Sequence, residues 1–185
     1  MSLKHIAIAI STILLLGGCS DSSSGNSGAD SLVSTNAYEL KDLQDISYKV
    51  VKAGNAFTVE GLEEKVILFD IFATWCPPCR ASAPNLASLQ ENYKEQIKII
   101  GILVEDDKPN SYVQEFVDKY GADYSISNSQ DNRALSRTIA NSIDVGQGFP
   151  IPLMVMYYKG KYINHYIGAV PEEMIESDIK RVLKQ

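Results

Sequence analysis

Phe69-Asp70-Ile71-Phe72-Ala73-Thr74-Trp75-Cys76-Pro77-Pro78-Cys79-Arg80 carries an apolar run into a pair of cysteines. The run covers residues 65–72 and reads KVILFDIF. It has no polar alternation, as expected of a strand buried on both faces in a parallel sheet. From Pro77 to about Gln96 the spacing of Leu86, Leu89 and Tyr93 predicts a helix. Residues 97–104, IKIIGILV, read as a second buried strand. Strand, helix, strand is a βαβ unit with a right-handed crossover. The cysteines fall at its first strand-to-helix junction. Two cysteines this close are either a redox pair or half of a metal site. A zinc site needs about four ligands. Beyond the N-terminal leader and Cys19, the chain offers one histidine, His165, and no further cysteine. Counting therefore favours redox chemistry, with no metal and no cofactor.

Working outward, residues 109–120 predict a helix with Val113, Phe116, Val117 and Tyr120 on one face. Residues 131–142 are a further helical candidate. Residues 153–158 and 162–167 read as two strands joined at Lys159-Gly160-Lys161, a plausible hairpin turn. Pro171 opens a last helix with Glu172 and Glu173 in its first turn and Lys180, Arg181 and Lys184 towards its end, the order that suits a helix dipole. Ahead of the first core strand, residues 38–62 suggest a β-rich extension, with strands over 46–51 and 57–59. There is no internal repeat.

A βαβ half followed by a ββα half, with CxxC at the junction, resembles the thioredoxin fold, an α/β arrangement of a central mixed sheet flanked by helices. Five positions outside CxxC carry the resemblance. Trp75 precedes the first cysteine, Asp70 lies six residues before Cys76, and Pro84 lies five after Cys79. Gly160 and Gly168 lie eight and sixteen residues after Pro152. Residues 72–80, FATWCPPCR, are especially similar to the TlpA/ResA-like branch of thiol–disulfide oxidoreductases. The branch has an N-terminal β extension and an insertion before the cis-proline, which residues 38–62 and about 105–145 would supply. The chain departs from the branch at Asp70, where many members are neutral, and at Leu153, where a polar residue is usual.

The chemistry ties these residues together. Disulfide exchange needs a thiolate, and an ordinary cysteine is mostly protonated near neutral pH. Cys76 at a helix N-terminus meets free N–H groups and the positive end of the dipole, which favour an anion there. It reads as the attacking thiol. Cys79, one turn later, reads as the more buried resolving thiol, and together they would form the redox-active disulfide. Pro77 and Pro78 supply no N–H donors, which implies a more reducing pair than the strong oxidants have. Asp70, buried in an apolar strand, would take the Cys79 proton directly or through water, with burial raising its pKa. Its bland alternative is a polar residue on an edge strand or a local hydrogen-bond partner.

The resemblance makes Pro152 the cis-proline and Ile151 the residue that offers its backbone to substrate. Trp75 reads as a substrate-contacting aromatic, or else as a cap on the site. Arg80 either adds positive potential near the thiolate or is solvent-exposed. Glu105-Asp106-Asp107 read as a solvated loop at a strand end, and His165 as structural or exposed.

The N-terminus reads as an address. Lys4 and His5 precede an apolar stretch over residues 6–16, too short to span a bilayer, and then Leu16-Gly17-Gly18-Cys19. This resembles a bacterial lipobox, so residues 1–18 are expected to be a signal peptide and Cys19 a lipidation site. Several acyl chains suffice for stable anchoring where one would be marginal. Residues 19–36 would be a Ser/Gly-rich linker, and 37–185 one thioredoxin-like domain.

Composition removes other classes. The 185 residues carry 17 basic and 23 acidic side chains, a net charge of −6, which argues against a nucleic-acid partner. Three cysteines exclude a disulfide-stapled scaffold, and 45% hydrophobic content excludes disorder. The leading expectation is a lipid-anchored envelope protein that reduces protein disulfides. The resemblance implies a membrane thiol electron donor and, as one class of substrate, apocytochrome c. The alternatives are a disulfide-forming oxidase or isomerase, and a non-enzymatic Cu(I)-binding module built on Cys76 and Cys79.

Overall fold

The computed structural model describes residues 36–146 and 148–185. The leader, Cys19 and all of the linker except Asn36 lie outside the described residues.

Twelve elements follow in order among the described residues: β1 (Ala37–Lys41), β2 (Ser47–Ala53), β3 (Ala56–Val59), β4 (Val66–Phe72), α1 (Pro77–Asn92), β5 (Ile97–Leu103), α2 (Asn110–Tyr120), β6 (Ser125–Ser127), α3 (Asn132–Ser142), β7 (Leu153–Tyr158), β8 (Lys161–Ile167) and α4 (Glu172–Leu183). Five strands form the central sheet in the order β6-β5-β4-β7-β8. β4 runs parallel to β5 and antiparallel to β7. This is the thioredoxin-like mixed sheet flanked by helices. The extension is a three-stranded antiparallel sheet, β1-β2-β3.

β4 is central, and every one of its residues is buried. Alternation sends Val66, Leu68 and Phe72 to one face, where they pack with residues of α1, α2 and α4. Ile67, Phe69 and Ile71 face the other way, into a second core shared with α3 and the extension. Asp70, in phase with Leu68 and Phe72, therefore belongs to the α1 side.

The extension is held at Gly160, whose carbonyl accepts from Phe57 N–H at 2.9 Å. A Cβ there would lie 2.8 Å from Thr58 Cγ2, and φ is +79°, so glycine is required twice over.

The structure corrects three expectations of extent. α1 stops at Asn92 rather than near Gln96; Tyr93 caps it through an N–H bond to Leu89 O, and its hydroxyl is donated to Glu176 of α4 at 2.8 Å. β1 goes unread in AYELK because only Leu40 is fully buried there. The 105–145 insertion contains β6 as well as the two helices. Its three residues are too few to show a pattern, yet all are buried.

Candidate functional site

The redox pair sits where β4 hands over to α1. Cys76 is the N-cap of the helix, and Pro77 and Pro78 occupy its first turn. Proline suits that turn because its missing N–H would have no intrahelical partner. The consequence for sulfur is direct: neither residue can donate to Cys76. The N–H that does approach is that of Cys79, 3.3 Å from Cys76 Sγ. Cys76 and Cys79 are joined as a disulfide. On the other side, the carbonyl oxygen of Ile151 lies 3.6 Å from Cys76 Sγ. The Ile151–Pro152 peptide is cis, and Pro152 O accepts from Gly168 N–H at 2.9 Å, tying this loop to the end of β8.

Trp75, Ile151 and Pro152 thus border the pair. Trp75 is 60% exposed, which makes it available for contact rather than a closed cap. The expected contrast in burial between the cysteines is not found: Cys76 is 2% and Cys79 3% exposed. What separates them is position, with Cys76 at the helix tip beside Ile151 and Cys79 a turn inside.

Asp70 lies on the α1 face of β4, between Gly101 on β5 and Met154 on β7. It is 2% exposed. Burial pushes its carboxyl up to about 7, and a hydrogen bond donated by the Tyr124 hydroxyl, 2.9 Å from Oδ2, opposes part of that rise. Oδ1 is buried and has no hydrogen-bond partner among the described residues.

The loop before Cys76 is braced from two sides. Glu105, just past β5, accepts from both Thr74 N–H and Thr74 Oγ1, the latter at 2.6 Å. Its side chain is nearly buried, and Lys108 Nζ lies 3.7 Å from its other oxygen. This corrects the reading of residues 105–107 as a uniformly solvated loop. Glu105 turns inward to accept from Thr74, whose hydroxyl also lies 3.2 Å from the Tyr112 hydroxyl, while Asp106 and Asp107 stay exposed. Arg80 donates through Nε to Thr74 O at 2.7 Å and lays its guanidinium over the Tyr120 ring, 5.2 Å from the centroid. It is a half-buried brace rather than the solvent-exposed residue of one of its two readings from sequence. His165 is distant in role: its Nδ1 lies 2.7 Å from the Tyr162 hydroxyl on β8.

Glu105→Ala should strand the Thr74 N–H and cost about 1–3 kcal/mol of stability, read as a lower urea midpoint with an unchanged slope. An unshifted midpoint would mean the brace carries no weight.

Sequence reasoning missed Glu105, Tyr124 and Gly101 as parts of this site. Tyr124 had no local signal, being 54 positions from Asp70. Gly101 did have one: a lone glycine inside IKIIGILV marks a close approach of another group. Among the described residues, no group of three or more His, Cys, Asp or Glu is placed to hold a metal ion. No described helix is long and apolar enough to cross a membrane.

The sequence matches the Redoxin family over residues 39–183. The thiol-disulfide oxidoreductase ResA of Halalkalibacterium halodurans is 30% identical over 125 residues, covering 66% of this chain and 65% of that protein. The chain thus spans just under two thirds of that relative. ResA of Bacillus thuringiensis is 26% identical over 131 residues, covering 70% of each chain. Among solved structures, a thiol:disulfide interchange protein of the thioredoxin family from Chlorobium tepidum TLS gives a TM-score of 0.62 at 20% identity, covering 80% of this chain and 94% of that one. With the family model matched over residues 39–183, and a bonded CxxC pair at the head of α1, the chain belongs to the Redoxin family.

Proposed function

We propose that the chain is a reductant of protein disulfides in the bacterial cell envelope, held at a membrane through lipidated Cys19. The observation that carries the direction of the reaction is the first turn of α1. Pro77 and Pro78 there leave Cys76 with few N–H donors, Cys79 N–H being the one within reach. A thiolate with less support is a stronger electron donor as part of a dithiol.

In the working cycle, Cys76 as a thiolate attacks a substrate disulfide and forms a mixed disulfide. Cys79, with Asp70 as acceptor of its proton, then attacks Cys76 and releases the substrate thiol. Trp75 offers an exposed indole to the incoming chain, and the loop at Ile151 and Pro152 offers backbone. A membrane thiol carrier resets the pair. Disulfide-containing envelope proteins are the substrate class, apocytochrome c among them. The tether and compartment rest on the lipobox resemblance at residues 16–19.

The test is the reduction potential of residues 20–185, equilibrated against a thiol–disulfide buffer. A value near or below about −270 mV supports the reductant. A value near about −120 mV would move the protein to disulfide formation.

A further inference from the structure

We propose that Tyr124, contributed by the inserted segment, is a positioning residue for Asp70: it holds the carboxyl by Oδ2 and so leaves Oδ1 to accept the Cys79 proton in the resolving step. This rests on the reading of Asp70 as proton acceptor. In that step the Cys79 proton passes to Asp70 Oδ1, and the Cys79 sulfur attacks Cys76 Sγ. The Cys76–Cys79 bond forms and the bond between Cys76 and the substrate sulfur breaks. The substrate sulfur leaves with the electron pair and takes a proton from water. Over the cycle, two electrons pass from the protein dithiol to the substrate disulfide.

Three features of the fold converge on this pairing. The Tyr124 hydroxyl is 2.9 Å from Asp70 Oδ2, whereas Oδ1 has no hydrogen-bond partner among the described residues. Gly101 stands directly beside Asp70 across the β4–β5 ladder, and a Cβ there would lie 3.1 Å from Tyr124 Cε2 and 3.2 Å from Phe72 Cε1. The missing side chain is therefore the space through which the ring reaches the carboxylate. Tyr124 itself is fixed by its N–H bond to Ala122 O at 2.9 Å and by the register of the next residue, Ser125, against Ile100.

The surroundings leave little else to set the state of Asp70. The ladder neighbours are Gly101 and Met154, neither of which titrates. Leu68 and Phe72, in phase on the same strand, are apolar, and they share a core with Cys76 and Cys79 from α1. Tyr124 stays protonated, because burial and then the nearby carboxylate push its own ionisation well above the usual tyrosine range. It therefore donates to Asp70 whenever the carboxyl is ionised. A donated bond favours the ionised carboxylate, the form that can take a proton, and opposes the effect of burial. One oxygen is occupied as a handle, and the other has no partner among the described residues.

The experiment compares wild type, Tyr124→Phe and Asp70→Asn in the full chain. One readout is the 13C carboxyl shift of Asp70 against pH in wild type and Tyr124→Phe. The other is the single-turnover rate of insulin disulfide reduction by the reduced protein across the same range. For Tyr124→Phe, the Asp70 titration should move upward by about one pH unit, a tenfold change in the ionised fraction on its acid side. The rate at neutral pH should fall several-fold and recover to the wild-type value at high pH. An unmoved titration overturns the proposal, and so does a uniform loss of rate at every pH, which is what a packing defect would give. Asp70→Asn separates the two levels. If it leaves the pH dependence of the rate intact, the acceptor reading fails and the proposal with it. If it removes that dependence while Tyr124→Phe leaves it in place, only the role of Tyr124 fails. Should Tyr124→Phe not fold, Gly101→Ala displaces the ring by its methyl group, and the carboxyl titration is expected to move in the same direction; an unmoved one again overturns the proposal.

Discussion

Cys79→Ser is expected to trap the protein on its substrate as a mixed disulfide, visible by mass as a covalent adduct that dithiothreitol removes. Catalytic turnover of a disulfide substrate should fall to the uncatalysed background. Cys76→Ser should reach the same background with no adduct at all. The asymmetry follows from where each sulfur sits, since their exposures are nearly equal. Cys76 is the cap of α1, with the Cys79 N–H 3.3 Å from its sulfur and the positive end of the helix behind it. It also borders the exposed Trp75 and the Ile151 carbonyl, the groups an incoming chain would meet. Cys79 lies within the helix on the face that packs on the sheet. Adducts carried by Cys79 in the Cys76→Ser protein would exchange the roles of the two sulfurs and remove Asp70 from the resolving step.

How much of this was legible in the sequence depended on the range of the interactions. β4, β5 and β7 announce themselves because a strand buried on both faces must be apolar throughout. α2 and α4 announce themselves through one-sided patterns. β1 and β6 do not. The first fully buries only Leu40 and depends on pairing, including Glu39 N–H donated to Asp131 at 2.7 Å. The second is three residues long. At the site, Cys76, Cys79 and Pro152 fall in local motifs or at fixed spacings, and the structure brings them together. Glu105 and Tyr124 reach the site from residues 31 and 54 positions away, and acidic loops and tyrosines are common enough to carry no signal by themselves. The glycine that admits Tyr124 was readable as a gap, but not as a gap for any particular ring.

Asp70→Asn should stabilise the oxidised protein, and the gain should depend on pH. The carboxyl ionises near 3.8 in the unfolded chain and near 7 in the fold, with burial as the main cause. Between those values the folded state holds a proton that the unfolded state has released. Stability of the wild type must then fall as pH rises through this window, by about 1.4 kcal/mol per pH unit, and level off above it. Asparagine keeps an acceptor for the Tyr124 hydroxyl and carries no charge, so its own contribution is flat. The advantage of Asp70→Asn should thus be small near pH 4 and reach about 4 kcal/mol by pH 8, as an order of magnitude. Urea midpoints of the two proteins across this range give the difference directly. Taking the difference cancels the opposite trend from Asp178, whose carboxyl is held below its usual range by bonds from Tyr166, Asn164 and Arg181 that outweigh its burial. A difference that stays constant with pH would mean that Asp70 ionises in the fold as it does in water. In that case it would be a poor match for a thiol proton near neutral pH. A difference that opens across the window would mean that the fold tolerates, in the middle of its central strand, an acid that weakens it at neutral pH. The same variant should then be slow to resolve mixed disulfides, so that the gain in stability and the loss of rate report on one proton.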